Sequence, residues 1–335
     1  MRNGRARILS AVLAAAVAAA VAAPAAAGPE AGPGFAVAEL AVELQIASGV
    51  AELDGDLVFT DLGTGRVLWR RGGEPITLAT LPVGTDVLGY PTGPYKVAVL
   101  DGRILVSQGW QDVNRTADGP YDHALLSLDR DGGVGVVAQA FWNPYDVDGA
   151  DGRWFLADSG KNVLFSVSPA GAVAEHFVFP DIVHDQSALQ SLSPTEFAAG
   201  ERYEAEAVPT GVAVGDGEVY VALFGGFPFL DGGGRVVAVP AAAPGPARIV
   251  ATGLNAPTDV AIDRDGRLLV LELGRYAVGQ GFLPGSGRLL GIDRLSGERT
   301  VIVDGLTMPV TVLPRAAGGY IVTQMGGPVL EVTRQ

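Results

Sequence analysis

Two carboxylates and one amine stand at matching places in this sequence: Asp146, Asp259 and Lys96 each lie two residues after a proline that opens a short β-rich run. A pair of aspartates gathered in a buried site can divide the work of acid and base, because burial and mutual repulsion push their pKa values apart. A lysine beside them would supply the counter-charge, and the same three groups could instead be hydrated lining. The remaining inventory narrows the chemistry. The chain has no cysteine, which excludes disulfides, thiolate metal ligands and cysteine nucleophiles. Of the three histidines, His123, His176 and His184, none has a second histidine four residues away, which argues against a transition-metal site. His184 has the most polar sequence surroundings, among Asp181, Asp185, Glu201, Glu204 and Glu206. No Gly-x-Ser-x-Gly elbow occurs, and Gly133-Val-Gly-Val-Val-Ala lies in a turn between strands rather than ahead of a helix. The acidic segments miss the twelve-residue calcium-loop pattern, although oxygen-rich loops can hold Ca²⁺ without it, so no cofactor is expected and calcium stays open.

The elements that position these groups follow from a repeat. A turn dipeptide, then a β-rich run, places one residue seven positions after each turn begins. Asp54-Gly55 leads to Asp61, Asp101-Gly102 to Gln108, Asp151-Gly152 to Asp158, Asp216-Gly217 to Leu223, Asp265-Gly266 to Glu272, and Ala317-Gly318 to Gln324. Successive turns lie 47, 50, 65, 49 and 52 residues apart, close to one four-stranded propeller blade. The Asp-Gly dipeptide favours the positive φ angles of a tight hairpin, so the flanking strands A and B pair antiparallel. A third strand C follows in every copy and a fourth strand D in all but the last. The spacing therefore predicts an all-β, six-bladed propeller of four-stranded antiparallel blades. Residues 35–44, which have no other partner, supply the missing outer strand of the sixth blade and close the ring.

In such a blade the A–B and C–D turns lie on one face of the ring, and the B–C and D–A connections on the other. The long connections, 109–122, 181–207, 224–234 and 273–287, all fall on the second face, which marks it as the expected working surface. Its candidate binding residues include Trp110 and Phe227, with Tyr121, Phe224, Phe229, Tyr276 and Phe282 alongside. The strand-B ends Asp61, Gln108, Asp158, Glu272 and Gln324 reach the same face, either as ligand-binding groups or as anchors for neighbouring loops.

Asn143-Pro-Tyr-Asp-Val, Asp151-Gly, Leu156-Ala-Asp-Ser-Gly-Lys-Asn-Val-Leu, Val208-Pro-Thr-Gly-Val-Ala-Val and Gly226-Phe-Pro-Phe resemble the ScyD/ScyE family. The resemblance is strongest over 141–272. It implies an exported propeller related to NHL-type repeats; the named family members belong to the cyanobacterial pathway for the sunscreen pigment scytonemin. Leu223 departs from the acid usual in the Gly-Phe-Pro-Phe blade, and the first two blades match weakly. An arginine-rich chain with only two lysines argues against carrying the pigment pathway over with the fold. Gluconolactonase-type propellers hold a divalent metal with Glu, Asn and Asp at inner-strand entries. The residues after the entry prolines here are Tyr145, Thr210, Thr258 and Val310, poor metal ligands, which disfavours lactonase chemistry.

Three arginines in residues 1–7 precede an Ala/Val/Leu run over 8–23 that is shorter than the roughly 20 residues of a membrane span. Ala25-Ala26-Ala27 then fits a cleavage site. The expected organisation is a Sec-type signal peptide over 1–27, a flexible linker over 28–34, and a single propeller domain over 35–335, in the periplasm or secreted. Losing three arginines takes the formal net charge from −14 to −17, which argues against nucleic acid and anionic membranes as partners. The expected role is a binding or assembly module for a small molecule or an extracytoplasmic protein through the long-loop face. A metal-assisted hydrolase is the alternative, and whether the protein is an enzyme stays open.

Overall fold

The computed structural model describes residues 28–85, 91–110, 119–185 and 202–335; the expected signal peptide lies outside them. Six four-stranded antiparallel sheets follow one another along the chain. Their inner strands are Ala47–Leu53, Pro94–Leu100, Pro144–Ala150, Pro209–Gly215, Pro257–Ile262 and Pro309–Pro314, in blades 1 to 6 respectively. The Asp-Gly pairs make the A–B hairpins: Asp54 and Gly55 have φ of 53° and 86°, and Asp101, Asp151 and Asp216 repeat the pattern with their glycines. Two consecutive positive φ angles match the right-handed twist of the strands that they join. Blade 5 turns differently. There the Asp263 carboxylate accepts from the backbone N–H groups of Asp265 and Arg267, at 3.0 and 2.9 Å.

The ring closes as the missing sixth-blade strand requires. Phe35–Glu39 pairs antiparallel with Leu330–Arg334, Phe35 opposite Arg334. The segment read as a linker is also tied down, since Glu30 and Ala31 add to the outer strand of blade 5 opposite Asp304 and Val303. Hydrophobic clusters fill the wedges between neighbouring blades, with Phe59, Trp154, Leu156, Val221 and Leu271 almost wholly enclosed. Among the described residues no helix is long and apolar enough to cross a membrane.

The channel is asymmetric. The first four residues of all six inner strands are buried, whereas the last residues of five of them are partly or fully exposed. Strand A starts at the long-loop face and ends at the Asp-Gly turns, so the channel is closed at the long-loop face and open at the Asp-Gly-turn face. Long-loop aromatics make the closure. Phe224 meets Phe229 and Phe282 edge-on, and those two tilt against each other, around Leu273, Met308 and Val310, with Phe227 and Tyr276 at the margin.

Candidate functional site

Every inner strand carries an irregularity near its second residue, and the position after it defines one layer around the channel. Gly49, Lys96, Asp146, Gly211, Asp259 and Thr311 occupy that layer in blades 1 to 6. The two glycines are required by close approach. A Cβ on Gly49 would lie 2.6 Å from the Val97 nitrogen, and one on Gly211 2.6 Å from the Asp259 Cα. The three charged candidates converge. Lys96 Nζ lies 2.7 Å from Asp259 Oδ1 and 3.6 Å from Asp146 Oδ2. Blades 2 and 5 face each other in a six-membered ring, so the lysine spans the channel as a crossbar. Its ammonium also sits 5.7 Å from the Tyr145 ring centre, within cation–π range.

Backbone donors of the next blade hold the carboxylates in place. The Val212 N–H donates to Asp146 Oδ2 at 2.9 Å, and the Val312 N–H to Asp259 Oδ2 at 2.8 Å. Asp148, two residues beyond Asp146 and therefore on the same side of its strand, accepts from the Val214 N–H at 2.7 Å. Burial pushes Asp259 up to about 7; Lys96 pulls against this and Asp146 adds to it. Burial likewise pushes Asp148 up to about 6 against the N–H bonds from Val214 and Gly149. The Tyr145 hydroxyl rises because it is buried, with Tyr95, Asp259 and Asp146 adding to the effect.

Beyond the crossbar, toward the Asp-Gly turns, lies a cavity of about 300 Å³. Lys96, Asp146 and Asp259 form its base, Asp148 stands on its wall, and valine, alanine, leucine and proline side chains from all six inner strands complete it. Behind the crossbar, Tyr95 and Tyr145 pack 5.4 Å apart against Leu62 and Ile46. The result is a dead-end cup rather than a through-channel. A divalent metal of the lactonase kind does not fit this base, because the lysine ammonium already sits between the two carboxylates. Among the described residues no group of three or more His, Asp or Glu side chains is arranged to hold a metal ion.

The other sequence candidates are placed apart from the cup. The strand-B ends anchor loops. Asp61 accepts from the N–H groups of Gln45 and Ile46, at 3.2 and 3.0 Å, and pairs with Arg66 at 3.1 Å. Burial works to raise the Asp61 pKa, but hydrogen bonds led by that from Thr64 hold it below the ordinary value. Asp158 accepts from the N–H groups of Trp142, Asn143, Gly160 and Lys161. Glu272 takes the Asn255 N–H and Arg288; Gln324 takes the Thr307 N–H; Gln108 donates to the Pro82 carbonyl. Leu223 cannot act in this way, and Asn162 Oδ1 of blade 3 accepts the Val208 N–H in its place, at 2.8 Å.

The aromatic candidates are packing groups rather than an open rim. Trp110 is buried and stacks 5.8 Å from His123, which stacks in turn 6.0 Å from Trp142. Phe227 meets Phe229 and Tyr276 edge-on. His176 is buried against the Pro240 carbonyl, while burial and then Arg235 lower the pKa of His184. Of its acidic sequence neighbours, Glu201 lies outside the described residues.

No protein-family profile and no curated protein matches the chain. Solved structures do. A gluconolactonase from Xanthomonas campestris aligns over 93% of this chain and 99% of its own, with 14% identity and a TM-score of 0.61. A putative oxidoreductase (glucose dehydrogenase) from Thermus thermophilus aligns over 89% and 100%, with 17% identity and a TM-score of 0.55. Virginiamycin B lyase from Staphylococcus aureus aligns over 90% and 100%, with 10% identity and a TM-score of 0.53. At these identities the likeness is one of fold, and the chain is similar in fold to gluconolactonase-like β-propellers.

Proposed function

We propose that the chain is an extracytoplasmic solute-binding propeller of ScyD/ScyE type whose ligand enters the cup from the Asp-Gly-turn face. The observation that carries this reading is the cup itself: about 300 Å³, with charged groups at its base and hydrocarbon around them. That is the lower end of the size range of small-molecule pockets, which are mostly apolar with a few placed polar groups. The leading run and the Ala25-Ala26-Ala27 site support export. Closure of the long-loop face by its own aromatics favours the cup over that face for a small ligand.

The test is a thermal-shift screen of small solutes on the mature protein in the presence of EDTA, since a ligand of the folded state alone raises Tm. Hits should disappear in Ala261→Phe, which fills the cup wall. Hits that survive Ala261→Phe and vanish in Phe227→Ala would return binding to the long-loop face. A shift produced by divalent ions alone would reinstate the metal-assisted hydrolase.

A further inference from the structure

Charge in the cup does not balance. Lys96 brings one positive charge to three aspartates, Asp146, Asp148 and Asp259, all lining one cavity. The other carboxylate on the wall, Glu52, already holds Arg315 at 2.7 Å. Asp146 and Asp259 share the lysine, but among the described residues no basic side chain pairs with Asp148. Its one inter-blade support is the Val214 N–H. Asp148 also lies one layer nearer the mouth, where the inner strand becomes partly exposed. Backbone dipoles position these carboxylates without cancelling their charge, and burial raises Asp148 to about 6 and Asp259 to about 7, so that both take up protons on mild acidification. A buried site that takes up protons in that range is short of positive charge, and an entering cation would compete with them.

The nature of the cation follows from the walls. Asp146, Asp148 and Asp259 each already accept a backbone N–H, and the third is ion-paired with Lys96 as well, so few free oxygens remain to replace the hydration shell of a metal ion. Around them Ala98, Ala213, Ala261, Leu313 and Pro314 offer hydrocarbon, which gains nothing from a hydrated ion and does gain from an apolar body. We propose that the cup selects a small organic monocation, an ammonium group on an apolar body, with Asp148 as its counter-ion. This rests on the reading of the cup as the binding site.

The experiment titrates the mature protein calorimetrically with n-butylammonium, 1-butanol and butyrate, one body with three head charges. At about pH 8 butylammonium is expected to bind at least tenfold more tightly than butanol, with butyrate weakest. Lowering the pH to about 5 should weaken butylammonium by tenfold or more while leaving butanol unchanged, because the cup carboxylates then hold protons. Asp148→Asn, which retains an acceptor for the Val214 N–H, should abolish the preference for the cation. The pH arm on the unsubstituted protein reads the same point if that variant folds poorly.

Butanol binding as well as butylammonium, and lost in Ala261→Phe, would overturn the cation assignment and leave the cup reading standing. Binding of none of the three probes overturns the assignment, and if the solute screen also finds no ligand lost in Ala261→Phe, the cup reading fails with it. A Ca²⁺ response removed by Asp148→Asn would make this an inorganic cation site and overturn the organic class.

Discussion

Replacing Lys96 with methionine keeps its unbranched hydrocarbon stem, one atom shorter, and removes the charge that meets Asp146 and Asp259. Asp259 and Asp146 would then be enclosed without a counter-ion, at side-chain exposures of 5% and 11%. Removing one partner of a buried ion pair costs about 3–5 kcal/mol. With about 2.1 cal/mol/K of unfolding entropy per residue, a propeller of about 300 residues loses about 1.6 °C of Tm per kcal/mol, so the expected fall is about 5–8 °C. The fall should depend on pH. Because burial holds Asp259 up to about 7, the folded state keeps a proton that the unfolded chain has released above its ordinary value of 3.8. The stability from that proton is complete below about 3.8 and is lost as pH rises toward about 7. Lys96→Met should therefore be most damaging above pH 7 and progressively less so on acidification, when the orphaned carboxylate becomes neutral. Adding Asp259→Asn, which leaves an acceptor for the Val312 N–H, should recover much of the loss at high pH. Thermal melts of Lys96→Met, Asp259→Asn and the double variant beside the parent across pH form a double-mutant cycle. A Tm for Lys96→Met within about 2 °C of the parent at pH 8, or a double variant no better than the single, would refute the crossbar.

Asp158→Ala removes the acceptor of four backbone N–H groups at the junction of blades 2 and 3. At about 1–3 kcal/mol for each group left unsatisfied, and allowing for water to reach some of them, a loss of at least about 3 kcal/mol is expected in urea unfolding. A change below about 1 kcal/mol would contradict the anchoring role. Beginning the chain at Leu40 removes Phe35–Glu39 and leaves Leu330–Arg334 as an open edge. Self-association by light scattering and a lower Tm are expected; an unaltered monomer of unchanged Tm would count against closure by that strand.

Much of the fold could be read from the turns, because Asp-Gly dictates backbone geometry locally and the spacing of six turns admits few architectures. The convergence of Lys96, Asp146 and Asp259 was readable for the same reason: equal distance from the entry proline means an equal height in the channel. Asp148 was missed although period-two alternation from Asp146 places it on the same wall. The open end of the channel could not be read. It depends on how Phe224 and Phe229 of one loop pack against Phe282 of the next, and loop length reports only that those side chains are present. Nor does the sequence near Leu223 reveal that Asn162, in the preceding blade, accepts the N–H that an acid would have taken.

The closing strand has a consequence for the order of folding. Phe35 meets Arg334 across almost the whole chain, whereas the hairpins inside each blade join residues a few positions apart. Loop-closure entropy rises by about 0.6 kcal/mol per doubling of length, and about five doublings separate a ten-residue hairpin from this contact, a handicap of about 3 kcal/mol. Contacts so distant in sequence slow folding. Phe35–Glu39 therefore waits for Leu330–Arg334, about 300 residues further along, and the sixth blade is the natural late step in forming the ring.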